Sequence, residues 1–196
     1  MINVKDIISI TVKLIEKYKI IISSMLISAI VILCSIHFFV YSKEAKKFEI
    51  AGQQIVELSQ NIIKHYQTSP SYWGLSSSEI IGKKMYADNM NIENGKLIGY
   101  FGNIVEVGAD EKGNIVMPTS KNFVIAYNGL NKKQCIGIGS HKFNKSFWLK
   151  VIKMTIKNDT NTQDFLWGHK DYELPIKRKK LEDLCQKDGN SVIIHF

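Results

Sequence analysis

Residues 20–41 read IIISSMLISAIVILCSIHFFVY, and residues 42–66 read SKEAKKFEIAGQQIVELSQNIIKHY. The first stretch carries no charged side chain. As a helix rising 1.5 Å per residue it would be roughly 33 Å long, enough for a bilayer hydrocarbon core of about 30 Å. The second stretch keeps the apolar rhythm on one side only. Phe48, Ala51, Ile55, Leu58, Ile62 and Tyr66 recur at spacings of three and four, which paints one face of a continuing helix. A rod that is greasy all round and then greasy on one side reads as a membrane anchor that becomes the spine of a globular head.

The flanks of the apolar run give its orientation. Lys5, Lys13, Lys17 and Lys19 precede it, while Lys43, Lys46 and Lys47 follow. The positive-inside rule and the shortness of the leading tail both favour a cytoplasmic N-terminus, with the following domain translocated. A cleavable secretory signal would have an apolar core of about 7–15 residues and a small-x-small site. This run is longer and ends in Ile36-His37-Phe38-Phe39-Val40-Tyr41, so the sequence predicts an uncleaved anchor. The expected division is a cytoplasmic amphipathic tail over 1–19, a single transmembrane helix over 20–41, an amphipathic spine over 42–67 and a periplasmic head over 68–196.

The chain has 196 residues and a formal net charge of +8. In residues 1–41 four lysines against Asp6 and Glu16 make +2, which leaves +6 for the remainder. Such a head could lean on anionic lipid, polysaccharide or nucleic acid, but its basic residues are scattered, as on an ordinary soluble surface. Cys34 lies in the apolar run and reads as a small packing residue. Two further cysteines, Cys135 and Cys185, lie in the head, and an exported domain favours one disulfide over two buried thiols.

After the spine, Thr68-Ser69-Pro70-Ser71 stops the helix. Ser76 and Glu79 have capping-box spacing and open a short second helix. Residues 89–96 read as a polar, turn-rich connection. From Leu97 the period becomes two: Leu97–Phe101 and Asn103–Val107 read as strand around Gly102, then comes a hairpin turn over Ala109–Asn114, a return over Ile115–Met117, and a strand over Asn122–Tyr127 closed by an Asn128-Gly129 turn. Ile136–Gly139 is ambiguous, Trp148–Ile156 reads as a long strand, Leu181–Cys185 as a small helix and Ser191–Phe196 as the last strand. One long helix followed mostly by antiparallel strands is an α+β plan.

The same text is poor in chemistry. His37, His65, His141, His169 and His195 never fall at metal-ligand spacing with Cys, Asp or Glu. Gly137-Ile138-Gly139 lacks the third glycine of a nucleotide fingerprint, and Ser140 is in no nucleophile elbow. Asp110-Glu111 and Glu182-Asp183 read as solvated carboxylates, and Lys177-Arg178-Lys179-Lys180 as a solvated face. Asn144-Lys145-Ser146 and Asn158-Asp159-Thr160 match the glycan-acceptor pattern, which arises easily by chance. Tyr72-Trp73 and Phe147-Trp148 read as core packing rather than a stacking platform. No catalytic set, metal site, cofactor or small-molecule substrate is expected, and the chain is not read as an enzyme.

From Tyr72 to Phe196 the head resembles the type IVb pilins, the subunits of bacterial type IV pili including those of conjugative plasmids. The stretches that carry the resemblance are Ser71-Tyr72-Trp73-Gly74-Leu75, Leu97 to Val107 with Phe101-Gly102-Asn103-Ile104-Val105, Phe123-Val124-Ile125-Ala126-Tyr127 followed by Leu130 and Cys135, and the ending Cys185 to Phe196. The resemblance implies a Cys135–Cys185 disulfide, a long N-terminal helix packed on an antiparallel sheet, and subunits that pack their apolar half-helices together without catalysis. The chain departs from the family's pattern ahead of the apolar run. Lys19-Ile20-Ile21-Ile22-Ser23-Ser24 has neither the glycine at which a dedicated peptidase cuts nor a glutamate inside the run, and Asn103 stands where a second glycine is usual.

The expectation is therefore a pilin-like structural subunit of a type IV pilus or a related secretion or conjugation machine, held in the bacterial inner membrane or forming a surface filament. Its partners would be other pilin or secretion-machine subunits and membrane lipid. The competing readings are a membrane-tethered periplasmic binding module for DNA or polysaccharide, and a scaffold subunit of a secretion channel.

Overall fold

The computed structural model describes residues 4–110, 121–148, 150–168, 170–171 and 173–196. The chain divides into two compact units, Met1–Ala45 and Lys46–Phe196. Helix α1 (Val4–His65) supplies the described part of the first and continues into the second. In the first unit every large apolar side chain from Ile21 to Phe39 is exposed, from 39% at Ile21 to 75% at Phe38. Three of the serines among them do not reach outward. Ser24, Ser28 and Ser35 return their hydroxyls to carbonyls three or four residues back, at 2.8–2.9 Å. A polar atom satisfied by its own helix is tolerable in an apolar surrounding.

The second unit is an antiparallel sheet with helices on it. Its strands are β1 (Asn91–Glu93), β2 (Lys96–Ile98), β3 (Ile104–Ala109), β4 (Phe123–Leu130), β5 (Lys153–Lys157), β6 (Thr162–Leu166) and β7 (Asn190–His195), in the spatial order β1-β2-β3-β4-β7-β5-β6. The C-terminal strand thus lies at the centre, between β4 and β5. The register lines up apolar residues across the sheet. Val107 opposes Ile125, Ile125 opposes Ile194, Ile194 opposes Met154, and Met154 opposes Phe165. Because the strand period is two, this row and its neighbours Val105, Tyr127, Val192 and Ile156 share one face. That face forms a single core with Ile55, Leu58 and Ile62 of α1. The α+β architecture, one long helix on an antiparallel sheet, is established.

Helices α2 (Ser77–Gly82), α3 (Lys132–Gly139), α4 (Lys145–Trp148) and α5 (Arg178–Leu184) complete the second unit. Ser76 caps α2 by accepting from the Glu79 amide at 3.2 Å. The ambiguous text around Cys135 is a helix because Asn131 and Gln134 form a reciprocal capping box, at 3.0 Å in each direction.

Several expectations are corrected. Residues 89–96 hold β1 and a hairpin into β2, whose two central residues, Asn94 (φ 50°) and Gly95 (φ 72°), take the left-handed geometry such turns require. Strand β2 ends at Ile98, and Gly99–Gly102 is a turn closed by Gly102 N–H donating to Gly99 O at 2.9 Å. Asn128-Gly129 does not end its strand. It lies inside β4, where the register with β7 shifts between Tyr127 and Leu130. Trp148–Ile156 is not one strand: α4 ends at Trp148, and β5 starts at Lys153. Strand β6 gave no signal strong enough to read. The expected return over Ile115–Met117 and most of the turn before it lie outside the described residues.

Candidate functional site

The spine face of α1 is seated without exposure at Ala51, Ile55, Leu58 and Ile62, while Phe48 and Tyr66 are half-buried. Aromatic rings carry the two ends of this seat into the head. Phe48 meets Phe101 at 5.4 Å; Tyr66 meets Tyr72 at 5.2 Å, and Tyr72 meets Phe123 at 4.8 Å. Phe123 in turn stacks on Phe196 at 4.7 Å. Tyr72 is therefore partly buried against the core, whereas Trp73 beside it is 63% exposed.

One polar residue on this face passed unread. Gln54 is fully buried, donates to Asn89 O at 2.7 Å and accepts from Tyr100 N–H at 2.9 Å. It holds two connections of the sheet edge against the helix. The only signal it leaves in sequence is a polar residue one position before an apolar one on the seated face.

Two small-residue contacts fix α3. A Cβ added at Gly137 would clash with the ring of Phe48, and one at Gly139 would lie 3.0 Å from a Leu181 methyl. So α3 lies between α1 and α5, and Cys135 on α3 is bonded to Cys185 at the end of α5. Asn190, fully buried, completes this corner by donating to Leu130 O at 2.9 Å and Gln186 O at 2.8 Å while accepting from Gln186 N–H at 2.7 Å.

The asparagines of the two glycan-acceptor patterns serve the backbone. Asn144 caps α4 by accepting from Phe147 N–H at 2.8 Å. Asn158, buried, accepts from the Thr160 and Asn161 amides at 2.9 and 2.7 Å and donates to Leu184 O at 2.7 Å.

On the other face of the sheet a polar chain crosses three strands. His195 Nδ1 lies 3.1 Å from Asp110, and its Nε2 lies 3.1 Å from the Thr155 hydroxyl. That hydroxyl donates to Asp164 at 2.6 Å, and Lys153 pairs with Asp164 at 3.1 Å. Burial pushes the Asp164 carboxyl up, but the hydrogen bonds from Thr155 and Lys153, with the charges of Lys153 and His195, outweigh it and hold it below its ordinary range. The single Thr155 proton is committed to Asp164, so the Thr155 oxygen accepts from the imidazole. This is the reverse of the polarity that activates a nucleophile. The network ties β5, β6 and β7 together. Asp110, read as solvated, is one of its members. Among the described residues no group of three or more His, Cys, Asp or Glu is placed to hold a metal.

The remaining feature is a groove of about 1030 Å³. Phe143, Val151 and Ile176 form its floor, half-exposed Trp167 and Pro175 stand beside it, and Ser140, His141, Lys142, Lys177 and Arg178 complete its lining. Trp167 is fixed by donating its indole N–H to Val151 O at 2.9 Å. Burial lowers the pKa of His141, against a smaller upward pull from Glu49. The basic run at 177–180, read as a solvated face, thus begins at the edge of an apolar groove.

No family model and no curated protein matches the chain. Among solved structures it is similar to TcpA, a type IV pilin from Vibrio cholerae El Tor biotype, with 10% sequence identity, a TM-score of 0.52, and coverage of 77% of this chain and 99% of that one. It is also similar to the type IV b pilin from Salmonella typhi, with 16% identity, a TM-score of 0.49, and coverage of 78% and 97%. The chain has a pilin-like fold, and the resemblance read from its sequence holds at the level of fold.

Proposed function

We propose that this chain is a membrane-anchored structural subunit of a bacterial type IV pilus or a related secretion or conjugation machine, and that it acts by helix packing and assembly with other subunits. Residues 20–41 cross the inner membrane, the tail 1–19 stays cytoplasmic, and the spine 42–67 carries the head 68–196 into the periplasm. The observation that carries this reading is the change of character along α1. Its apolar side chains from Ile21 to Phe39 are exposed, whereas Ala51, Ile55, Leu58 and Ile62 are fully buried against the sheet. Exposed apolar surface costs about 25 cal/mol per Å² in water, so the first stretch needs lipid or neighbouring helices around it. By length and composition it can cross a membrane. The pilin-like fold of the head and its disulfide support the same assignment.

Native chemistry offers a direct test. Cys34 is a free, exposed thiol on the apolar part of α1. Oxidative cross-linking in native membranes, with Cys34 as it stands and with single cysteines moved to positions 30, 31 and 32 in a Cys34→Ser background, samples one helical turn. Disulfide-linked dimers or larger species peaking at one position are expected. Their absence at all four positions sinks assembly through this helix. Intact-mass measurement of the same protein locates its N-terminus. A start at Met1 or Ile2 fits an uncleaved anchor, and a start just before the apolar run fits a processed filament subunit.

A further inference from the structure

The groove bounded by Phe143, Val151, Trp167 and Ile176 adjoins the seat of α1 through His141, which lines it and lies against Gly52. Its chemistry is divided. The floor is hydrocarbon: Val151, Ile176 and Phe143 are 3%, 4% and 8% exposed. The exposed charges around it, Lys142, Lys177 and Arg178, are all cationic, and among the described residues no carboxylate lines it. Arg178 uses Nε on Glu182 at 3.2 Å, which leaves its terminal guanidinium nitrogens available. Among the described residues, Lys142 and Lys177 have no carboxylate partner. A volume of about 1030 Å³ is at the upper end of what small-molecule sites enclose, roughly 300–1,000 Å³.

We propose that this groove binds an anionic phospholipid, with a hydrocarbon chain along the apolar floor and the phosphate headgroup among Lys142, Lys177 and Arg178. The inference goes beyond the assembly role and does not depend on it. A nucleic acid or polysaccharide would use the cations but would bring polar groups onto Phe143, Val151 and Ile176, where nothing repays their desolvation. A peptide strand would do the same with its backbone N–H and C=O groups, since among the described lining residues only Ser140 and His141 offer uncharged polar side chains besides the Trp167 indole, already bound to Val151 O. A hydrocarbon chain brings no such groups. Lysine and arginine suit the other end, because their stems lie on apolar surface while their heads meet the phosphate.

The test uses the full chain in neutral detergent. Trp167 reports on the groove, so a lysophosphatidylglycerol with a brominated acyl chain is titrated while indole quenching is followed. Brominated lysophosphatidylcholine and inorganic phosphate serve as comparison ligands, and Trp167→Phe identifies the reporting indole. Quenching by the glycerol lipid that is lost in Trp167→Phe, with at least tenfold weaker binding of the choline lipid, supports the site. Lys177→Glu and Lys142→Glu, both exposed and so harmless to folding, should each weaken the glycerol lipid several-fold, and together at least tenfold. Equal quenching by the two lipids overturns the proposal, as does quenching that survives Trp167→Phe. Displacement of the glycerol lipid by millimolar phosphate would mean an anion site without a lipid and overturns it as well. Should Trp167→Phe misfold, the paired charge reversals decide alone.

Discussion

The imidazole of His141 lies against the backbone of Gly52, so closely that a Cβ at position 52 would clash with the ring. Read as sequence, Gly52 is a flaw in the spine helix that costs about 1 kcal/mol against alanine. In the fold it is a notch. A second notch faces the other way, for Gly137 on α3 receives the ring of Phe48 from α1. Each helix carries a glycine where the other, or the segment leaving it, presents a ring. Gly52→Ala should therefore destabilise the head by about 1–2 kcal/mol. The overpacking cost of about 1–3 kcal/mol exceeds the gain in helix propensity. Gly137→Ala should do the same through Phe48. Urea unfolding of the full chain in detergent measures both, and Gly52→Ala combined with His141→Ala should recover most of the loss. A stabilised Gly52→Ala protein would show that the ring is free to swing aside.

These notches mark where sequence reading stops. The seated face of α1 follows from spacing alone, because a helix turns by a fixed angle per residue and the apolar positions are unambiguous. The strands β3, β4 and β7 alternate strongly enough to read. The failures have physical causes. In the span 89–96 the polar text conceals a hairpin, since an exposed edge strand needs no apolar pattern and only Asn94-Gly95 betrays the turn. At α4 the run from Trp148 suggests a strand, whereas Asn144 caps a helix one turn earlier. The groove could not be read at all, because it joins residues 140–143, 151, 167 and 175–178 from segments that meet only in three dimensions. A basic run gives no hint of the apolar floor beside it.

His141 also makes the head sensitive to mild acid. Burial lowers its pKa below the ordinary 6.5, and the charge of Glu49 only partly opposes this. The neutral ring is the folded form, so the unfolded chain takes up a proton first. Stability is fully present above about pH 6.5 and falls as the pH drops from there to the folded-state value. Urea midpoints at pH 7.5 and pH 5.5 should differ, with the lower midpoint at pH 5.5. His141→Gln, which cannot titrate, should shrink that difference. An unchanged difference in His141→Gln would place the sensitivity elsewhere.

The disulfide should contribute mainly by limiting the unfolded chain. Cys135 and Cys185 are separated by 50 residues, and loop-closure entropy for a ring of that size is on the order of 4 kcal/mol. The closed segment holds β5, β6 and three of the five helices in whole or part, so its loss frees a large part of the head. Cys135→Ser with Cys185→Ser, or reduction of the native protein, should lower unfolding stability by about 2–4 kcal/mol. The pairings of β3, β4 and β7 should persist at low denaturant, because none of them depends on the bond directly. Matched unfolding curves with and without reductant test this, and a loss under about 1 kcal/mol would mean that the unfolded chain is already compact.

Tyr127 gives the prediction with the least expected sign. It sits at the centre of the sheet, fully buried, with Val105 opposite on one side and Val192 on the other. Its hydroxyl has no hydrogen-bond partner among the described residues, and burial raises its pKa well above the ordinary phenolic range. A tyrosine in a core is usually retained for its hydroxyl, and Tyr→Phe usually costs stability. Here the ring supplies the packing and the hydroxyl supplies an unmet desolvation cost of about 1–3 kcal/mol. Tyr127→Phe keeps the ring and removes that cost, so the substitution should be neutral or should stabilise the head by up to about 1 kcal/mol. Tyr127→Leu, which loses the ring, should destabilise it. If Tyr127→Phe instead loses more than about 1 kcal/mol in urea unfolding, the hydroxyl is engaged in solution, and Asn103, whose buried side-chain oxygen also lacks a partner among the described residues, is the group to test with it.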